Sequence, residues 1–193
     1  MSPRPATDLD KRDRILDAAL ALFAERGFHG TPVPMVAERA QVGAGTIYRY
    51  FESKEALVNA LYQREKQAVL SAVMEGFPAH ASPREQFHFF FRRVLEYAIN
   101  HADSFRFLEH HHHAAYLDDQ SRAIEQRVIA LAHQYLAETA RLRITKPVAP
   151  EVLMAVVWGG IVHLMREAWA GRVELAERVL EQAEDVCWEA VRL

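Results

Sequence analysis

Three side chains able to bind a polyanion and read a base edge fall close together: the Thr46 hydroxyl, the Arg49 guanidinium and the Tyr50 phenol. On a short helix over 44–51 they turn outward, while Ile47 and Phe51, four residues apart, face inward. A hydroxyl or phenol exchanges hydrogen bonds with phosphates, and an arginine fork fits a guanine edge or a phosphate. A second group is the histidine run at 110–113, in which His110 and His113 share a helix face and Glu109 pairs with His113. Imidazoles at that spacing suit zinc or nickel. Four consecutive histidines radiate around more than half a helix, so no more than two can join one site, and further ligands would have to come from His163 or a distant carboxylate. The plainer expectation is a partly polar helix with one or two imidazoles lining a pocket, and no metal or cofactor. The third group is aromatic: Phe87, Phe89, Phe90, Phe91 and Tyr97 on one stretch, with Phe105, Phe107, Trp158 and Trp169 beyond it. Most are core, and the remainder fit an apolar cavity with a few polar tips. No S-x-x-K, G-x-S-x-G, H-E-x-x-H or glycine-rich phosphate loop is present, so an enzyme is not expected.

The elements that must position these groups are helical. The 193 residues are 50% hydrophobic and 25% charged, the composition of an ordinary soluble globular protein. Ala, Leu, Glu, Arg and Gln dominate, and no β-branched stretch alternates with polar residues for long, so the expectation is all-α. The first residues are polar and charged without an apolar core, and no run approaches 18 uninterrupted apolar residues, which predicts a cytoplasmic protein with no membrane partner. A lone Cys187 leaves no internal disulfide framework. Net charge is −3, split as +1 over 1–66 and −4 over 67–193. Nucleic-acid binding would therefore rest on a few placed groups, doubled by a dimer, rather than on a basic field.

Thr7 or Asp8 can cap a first helix in which Ile15, Ala18, Ala19, Leu22 and Phe23 form the apolar stripe and Gly27 takes the left-handed stop. Lys11, Arg12 and Arg14 on its outer face are read first as a solvated surface and second as phosphate contacts. Thr31 reads as an N-cap with Pro32 at the first helical position, and Gln41-Val42-Gly43 breaks that helix ahead of the one carrying Thr46. That is helix-turn-helix grammar. Ser53 caps a connector helix over 53–76, stopped at Gly76-Phe77-Pro78, and Ser82-Pro83-Arg84-Glu85 is a capping box that opens a second region. The expected division is a DNA-binding head over 1–54, the connector 53–76, and a larger domain over 77–193 for ligand binding and dimerisation. Its last two helices, with Gly159-Gly160 inside the first, are the expected dimer seam, because close helix approach offsets the helix cost of glycine.

The run Gly43-Ala44-Gly45-Thr46-Ile47-Tyr48-Arg49-Tyr50-Phe51-Glu52-Ser53-Lys54 resembles the TetR family of transcriptional regulators, whose head commonly reads A-x-V-s-x-G-T-x-Y-x-Y-F-x-s-K-e-x-L. Ile15-Leu16-Asp17-Ala18-Ala19 and Leu22-Phe23-Ala24-Glu25-Arg26-Gly27-Phe28 extend the likeness over the first third of the chain; beyond it only length and helical pattern agree. The resemblance implies a homodimeric, ligand-responsive regulator, most simply a repressor released from a palindromic double-stranded operator by a small-molecule effector. It implies phosphate contacts at Thr31 and Lys54 and recognition-helix contacts at Thr46 and Tyr50, with Arg49 on a guanine or a phosphate. Tyr48 is expected mainly as core, with its hydroxyl turned to the DNA backbone. Gly43 and Ala44 depart from the family's longer polar residues: Gly43 is a weaker cap, Ala44 offers a methyl to thymine, and Gly45 permits close backbone approach, leaving a share of specificity to DNA shape. For the effector the resemblance points to Phe107, His111, Trp158, His163 and Met165. Two other readings stand beside it: a metal sensor or metal-dependent enzyme built on residues 110–113, and a helical adaptor without DNA binding, toward which Gly43-Ala44 leans.

Overall fold

A computed structural model describes residues 8–110 and 115–193, without the side chains of 8, 9 and 110. The described residues form α1 (Asp8–Arg26), α2 (Val33–Arg39), α3 (Ala44–Tyr50), α4 (Lys54–Met74), α5 (Pro83–Asn100), α6 (Ala102–His110), α7 (Asp119–Arg141), α8 (Pro150–Trp169) and α9 (Glu177–Val191). Strands are absent among them; the one β-like feature is an isolated bridge between Thr145 and Arg192. The fold is all-α, with a helix-turn-helix over α2 and α3. The cap proposed at Thr7 or Asp8 and the histidines at 110–113 lie outside the described side chains.

Local signals set most of these boundaries. The Ser53 hydroxyl accepts from Ala56 N–H at 3.0 Å to cap α4. At α5 the Glu85 carboxylate accepts from Ser82 N–H at 2.8 Å and from its hydroxyl at 2.7 Å, while Glu85 N–H donates to the Ser82 hydroxyl oxygen at 3.3 Å, closing the capping box. Those bonds hold the Glu85 carboxyl below the usual range. Asp118 caps α7 by accepting from Ser121 N–H at 2.7 Å. Gly27 stops α1 with φ 68°.

Helix ends α2, α7 and α8 share one geometry: a residue in the left-handed region, its N–H bonded back four residues or fewer, and the next N–H reaching the carbonyl five residues before. Only α8 uses glycine there, Gly171 at φ 69°; α2 uses Gln41 at φ 55° and α7 uses Arg143 at φ 57°. A side chain in this region carries a steric cost that glycine lacks, partly returned as unfolded-state entropy. Gln41→Gly is therefore expected to stabilise the protein by about 0.5–1 kcal/mol. A higher chemical-denaturation midpoint with unchanged slope would confirm it, and a lower midpoint would refute it.

The chain divides into two compact units. The first joins residues up to Gln67 with His101–Arg122, and the second joins Ala68–Asn100 with Ala123–Leu193. This departs from the expected division at 76/77: α6 folds back on α1, and Phe107, fully buried, enters one core with Phe23, at a ring separation of 6.3 Å. That core also holds Ile15, Leu16, Val36, Ile47, Leu57 and Leu61. In the second unit α5, α8 and α9 bury Phe91, Leu95, Ile161, Met165 and Cys187. Arg84 and His88 of α5 both bind the buried Glu184 carboxylate of α9, His88 Nδ1 at 2.8 Å. The Lys146 ammonium donates to the last carbonyls of α9, Glu189 at 3.0 Å and Ala190 at 2.7 Å.

Candidate nucleic-acid interface

The turn between α2 and α3 aims one short helix outward. Ile47, with 1% of its surface exposed, is the pin that holds α3 to the core, and Phe51 at its C-cap is buried as well. Gly43 is the N-cap in extended backbone, with no side-chain bond to the helix. The remaining positions meet the outside. Ala44, Gly45, Tyr48 and Arg49 are exposed, and Thr46 and Tyr50 are half-buried.

Tyr48 is 55% exposed, which corrects the expectation of a core ring. Its neighbour Ile47 already occupies the inward direction, and one residue along a helix rotates the side chain by about 100°. Tyr50, expected to point outward, packs its ring partly against the core. A β-carbon built on Gly45 would meet nothing within 4 Å, so no intrachain contact calls for glycine there. Gly45 is the second residue of α3, where glycine costs less than the ~1 kcal/mol of a helix interior, and its open surface admits close approach of another backbone.

Thr31 does not fit the expected phosphate contact. Its side chain is fully buried, and the hydroxyl lies against the Gly27 carbonyl at 2.9 Å and the Leu22 carbonyl at 3.1 Å. Pro32, not Thr31, is the N-cap of α2. The hydroxyl's one proton is directed at these two carbonyls near the end of α1 instead of at an outside anion. Lys54 starts α4 half-buried, its ammonium donating to the Phe28 carbonyl and lying 4.1 Å over the Phe28 ring. An ammonium has three donors, so one bond leaves two for a phosphate. Partial burial lowers its pKa. Arg12 adds a cation that the spacing alone did not bring to this face: its guanidinium lies 5.4 Å over the Phe51 ring, at the end of α3.

The described residues expected around an effector are divided between the two units. Phe107 belongs to the core of the first unit, and His111 lies outside the described residues. Trp158 and Met165 are seven residues apart on one face of α8, half-buried and buried. His163 stands about 140–160° around the helix from both. Its side chain is 73% exposed and sits 3.8 Å from Glu167. Among the described residues no group of three or more His, Cys, Asp or Glu could hold a metal ion.

A family model described as "Bacterial regulatory proteins, tetR family" matches residues 15–61, and one described as "Tetracyclin repressor-like, C-terminal domain" matches residues 62–193. The HTH-type transcriptional repressor KstR of Mycolicibacterium smegmatis is 36% identical over 80 residues, which are 42% of this chain and 39% of that protein. The HTH-type transcriptional regulator UidR of Escherichia coli is 35% identical over 78 residues, 40% of this chain and 36% of its own. The match thus spans less than half the length of these curated relatives. Two solved structures align along nearly the whole chain. A transcription regulator from Marinobacter aquaeolei has TM-score 0.85 and 26% identity, covering 96% of this chain and 97% of its own. One from Vibrio parahaemolyticus has TM-score 0.77 and 28% identity, covering 95% and 100%.

Proposed function

The chain belongs to the TetR family, and from that membership we propose that it is a transcriptional repressor, not an enzyme, binding a palindromic operator as a homodimer and released by a small-molecule effector. The observation that carries the DNA half is α3: a helix pinned by one buried isoleucine that turns Ala44, Gly45, Tyr48 and Arg49 outward. Arg49 and the Tyr48 hydroxyl supply the long polar reach, Thr46 and Tyr50 flank them, and Lys54 adds a phosphate contact at the next helix start. Ala44 and Gly45 let the DNA come close but read little. A large part of the specificity then rests on Arg49 and on the spacing and shape of two half-sites.

The dimer half rests on α8 and α9. Val152, Val156, Gly159 and His163 fall along one exposed face of α8, and Val186 and Ala190 are exposed on α9. By length and composition α8 is the one described helix able to cross a membrane, with 17% of its apolar window buried. Its opposite face is already spent on the core through Leu153, Ile161 and Met165, so it has a single open stripe. A second copy of that stripe, small at Gly159 and polar at His163, is a better complement to it than lipid. Such a protein works in the cytoplasm, where its operator is.

For the effector, the likeness of residues 62–193 to a tetracycline-repressor C-terminal domain supports a site in the second unit, with Trp158 and Met165 as its α8 wall. Release is population shift: the effector must bind the DNA-incompetent arrangement more tightly than the competent one. The family match favours neither the metal-dependent reading nor the adaptor.

The test is selection. Purified protein incubated with a duplex pool of random sequence, containing its own upstream region as a spike, is expected to enrich a two-fold symmetric site whose affinity falls steeply with salt. A pool that stays unenriched, with no retained upstream region, would end the regulator reading.

A further inference from the structure

The ring of Phe28 sits between two groups. The Lys54 ammonium lies 4.1 Å from its centroid, and the Tyr116 ring is stacked on it at 4.0 Å with 19° between planes. A cation and a parallel ring at the same short distance cannot share one face, so Phe28 carries Lys54 on one side and Tyr116 on the other. Phe28 lies in the turn between Gly27 and Gly30, where the His29 ring meets its ring edge-on at 5.4 Å and the Phe23 ring lies nearly parallel at 6.3 Å. Tyr116 adds the shortest ring contact from far along the chain, and its hydroxyl bonds His29 Nε2 at 2.7 Å, clamping the turn at a second point.

Tyr116 is itself held. The Asn59 side-chain amide donates to the Tyr116 carbonyl at 2.7 Å and accepts from Asp118 N–H at 2.9 Å, satisfying two backbone groups of a segment with no regular partner. Asn59 is buried. One turn further along α4, Gln63 donates to the Ser121 hydroxyl at 3.1 Å. All of these residues belong to the first compact unit.

We propose that Tyr116 is a positioning residue for the DNA contact made by Lys54, acting through the Phe28 ring and held in place by Asn59. A lysine on its flexible four-carbon stem reaches a phosphate at low entropic cost only when its head is already parked. The Phe28 carbonyl and ring park it, and Tyr116 fixes the ring. The proposal rests on Lys54 meeting a phosphate in the regulator reading above.

Two measurements on the full-length protein separate the proposal from its premise. In the first, the methylene next to the Lys54 amine is expected at a ring-shifted, upfield proton position in the free protein. It should move toward the ordinary lysine position in Tyr116→Ala and stay in Tyr116→Phe, which keeps the stack. Retention of the shift in a folded Tyr116→Ala overturns the proposal with no DNA involved; Tyr116→Leu serves if the alanine variant does not fold. In the second, binding to the enriched duplex is followed across a salt series. Tyr116→Ala is expected to lose about tenfold in affinity, and the log–log salt dependence should become shallower by about two, one phosphate per protomer. Lys54→Met should give the same shallower slope, and the double variant should add nothing further. Weaker binding with an unchanged slope overturns the proposal, because a reduced folded fraction lowers affinity without changing the number of phosphates met. If the ring shift behaves as expected but Lys54→Met leaves the slope alone, the parking stands and the phosphate role of Lys54 falls.

Discussion

Gly159→Arg is expected to turn the proposed dimer into a monomer of 22.0 kDa and to weaken operator binding by at least about 100-fold. The two adjacent glycines of α8 have different reasons to be there. A β-carbon on Gly160 would stand 3.2 Å from the Cys187 Sγ of α9, so Gly160 serves the approach of two helices within one chain. A β-carbon on Gly159 would meet nothing within 4 Å. Nothing inside the protomer gains from that glycine, although it costs its helix about 1 kcal/mol. Gly159→Arg should accordingly leave the monomer folded, with the same helical circular dichroism, while placing a charge and a long side chain in the middle of the Val152, Val156 and His163 stripe. A second half-site then no longer binds as an intramolecular event, and the avidity of two short heads is lost. Light scattering gives the mass and a salt-matched titration gives the affinity. A variant that remains dimeric and binds as before would remove this face of α8 from the seam.

What the sequence disclosed and what it withheld divide along sequence separation. Caps and stops are local: Ser53, the Ser82–Glu85 box, Asp118, Gly27 and Gly171 act within five residues of themselves, and each stands where its type predicts. The helix-turn-helix was legible for the same reason. Thr31 shows the limit. A hydroxyl at a helix start can cap that helix, meet an anion, or bond carbonyls of the preceding helix, and only the nearness of Leu22 and Gly27 decides for the third. The turn after α2 was read as Gln41-Val42-Gly43 without naming its left-handed residue, which is Gln41 and not the glycine; a steric cost of about 1–2 kcal/mol is small beside the packing that fixes α2 against α3.

Phe107 was expected at a ligand cavity from aromatic density and the family resemblance, neither of which says which core a ring enters; that depends on α6 returning to α1. His163 could have been placed from the sequence. Its angle from Trp158 and Met165 follows from 3.6 residues per turn, and helical arithmetic alone puts it on the side of α8 away from them. Tyr116, Asn59 and His29 left no signal at all, since their partnership spans up to 87 residues of chain and uses no motif.

Arg49→Ala is expected to cost about 1–3 kcal/mol of operator affinity per half-site, so the dimer loses roughly 30-fold to 10⁴-fold. The size follows from how little else α3 offers. Arg49 is its one long cation, Ala44 and Gly45 reach no base edge with a polar group, and Thr31 is committed to the end of α1. The salt series also tells what Arg49 touches. If it grips phosphates, one on each half-site, the slope becomes shallower by about two and random duplex weakens in step with the operator. If it forks onto guanine O6 and N7, the slope barely changes, random duplex holds its weak affinity, and the preference for guanine at one symmetric pair of positions disappears. Arg49→Lys separates these further, because a point charge replaces a phosphate contact far better than it replaces a planar fork. An Arg49→Ala dimer that kept wild-type affinity, slope and base preference would mean that α3, although it faces outward, is not the surface that meets DNA.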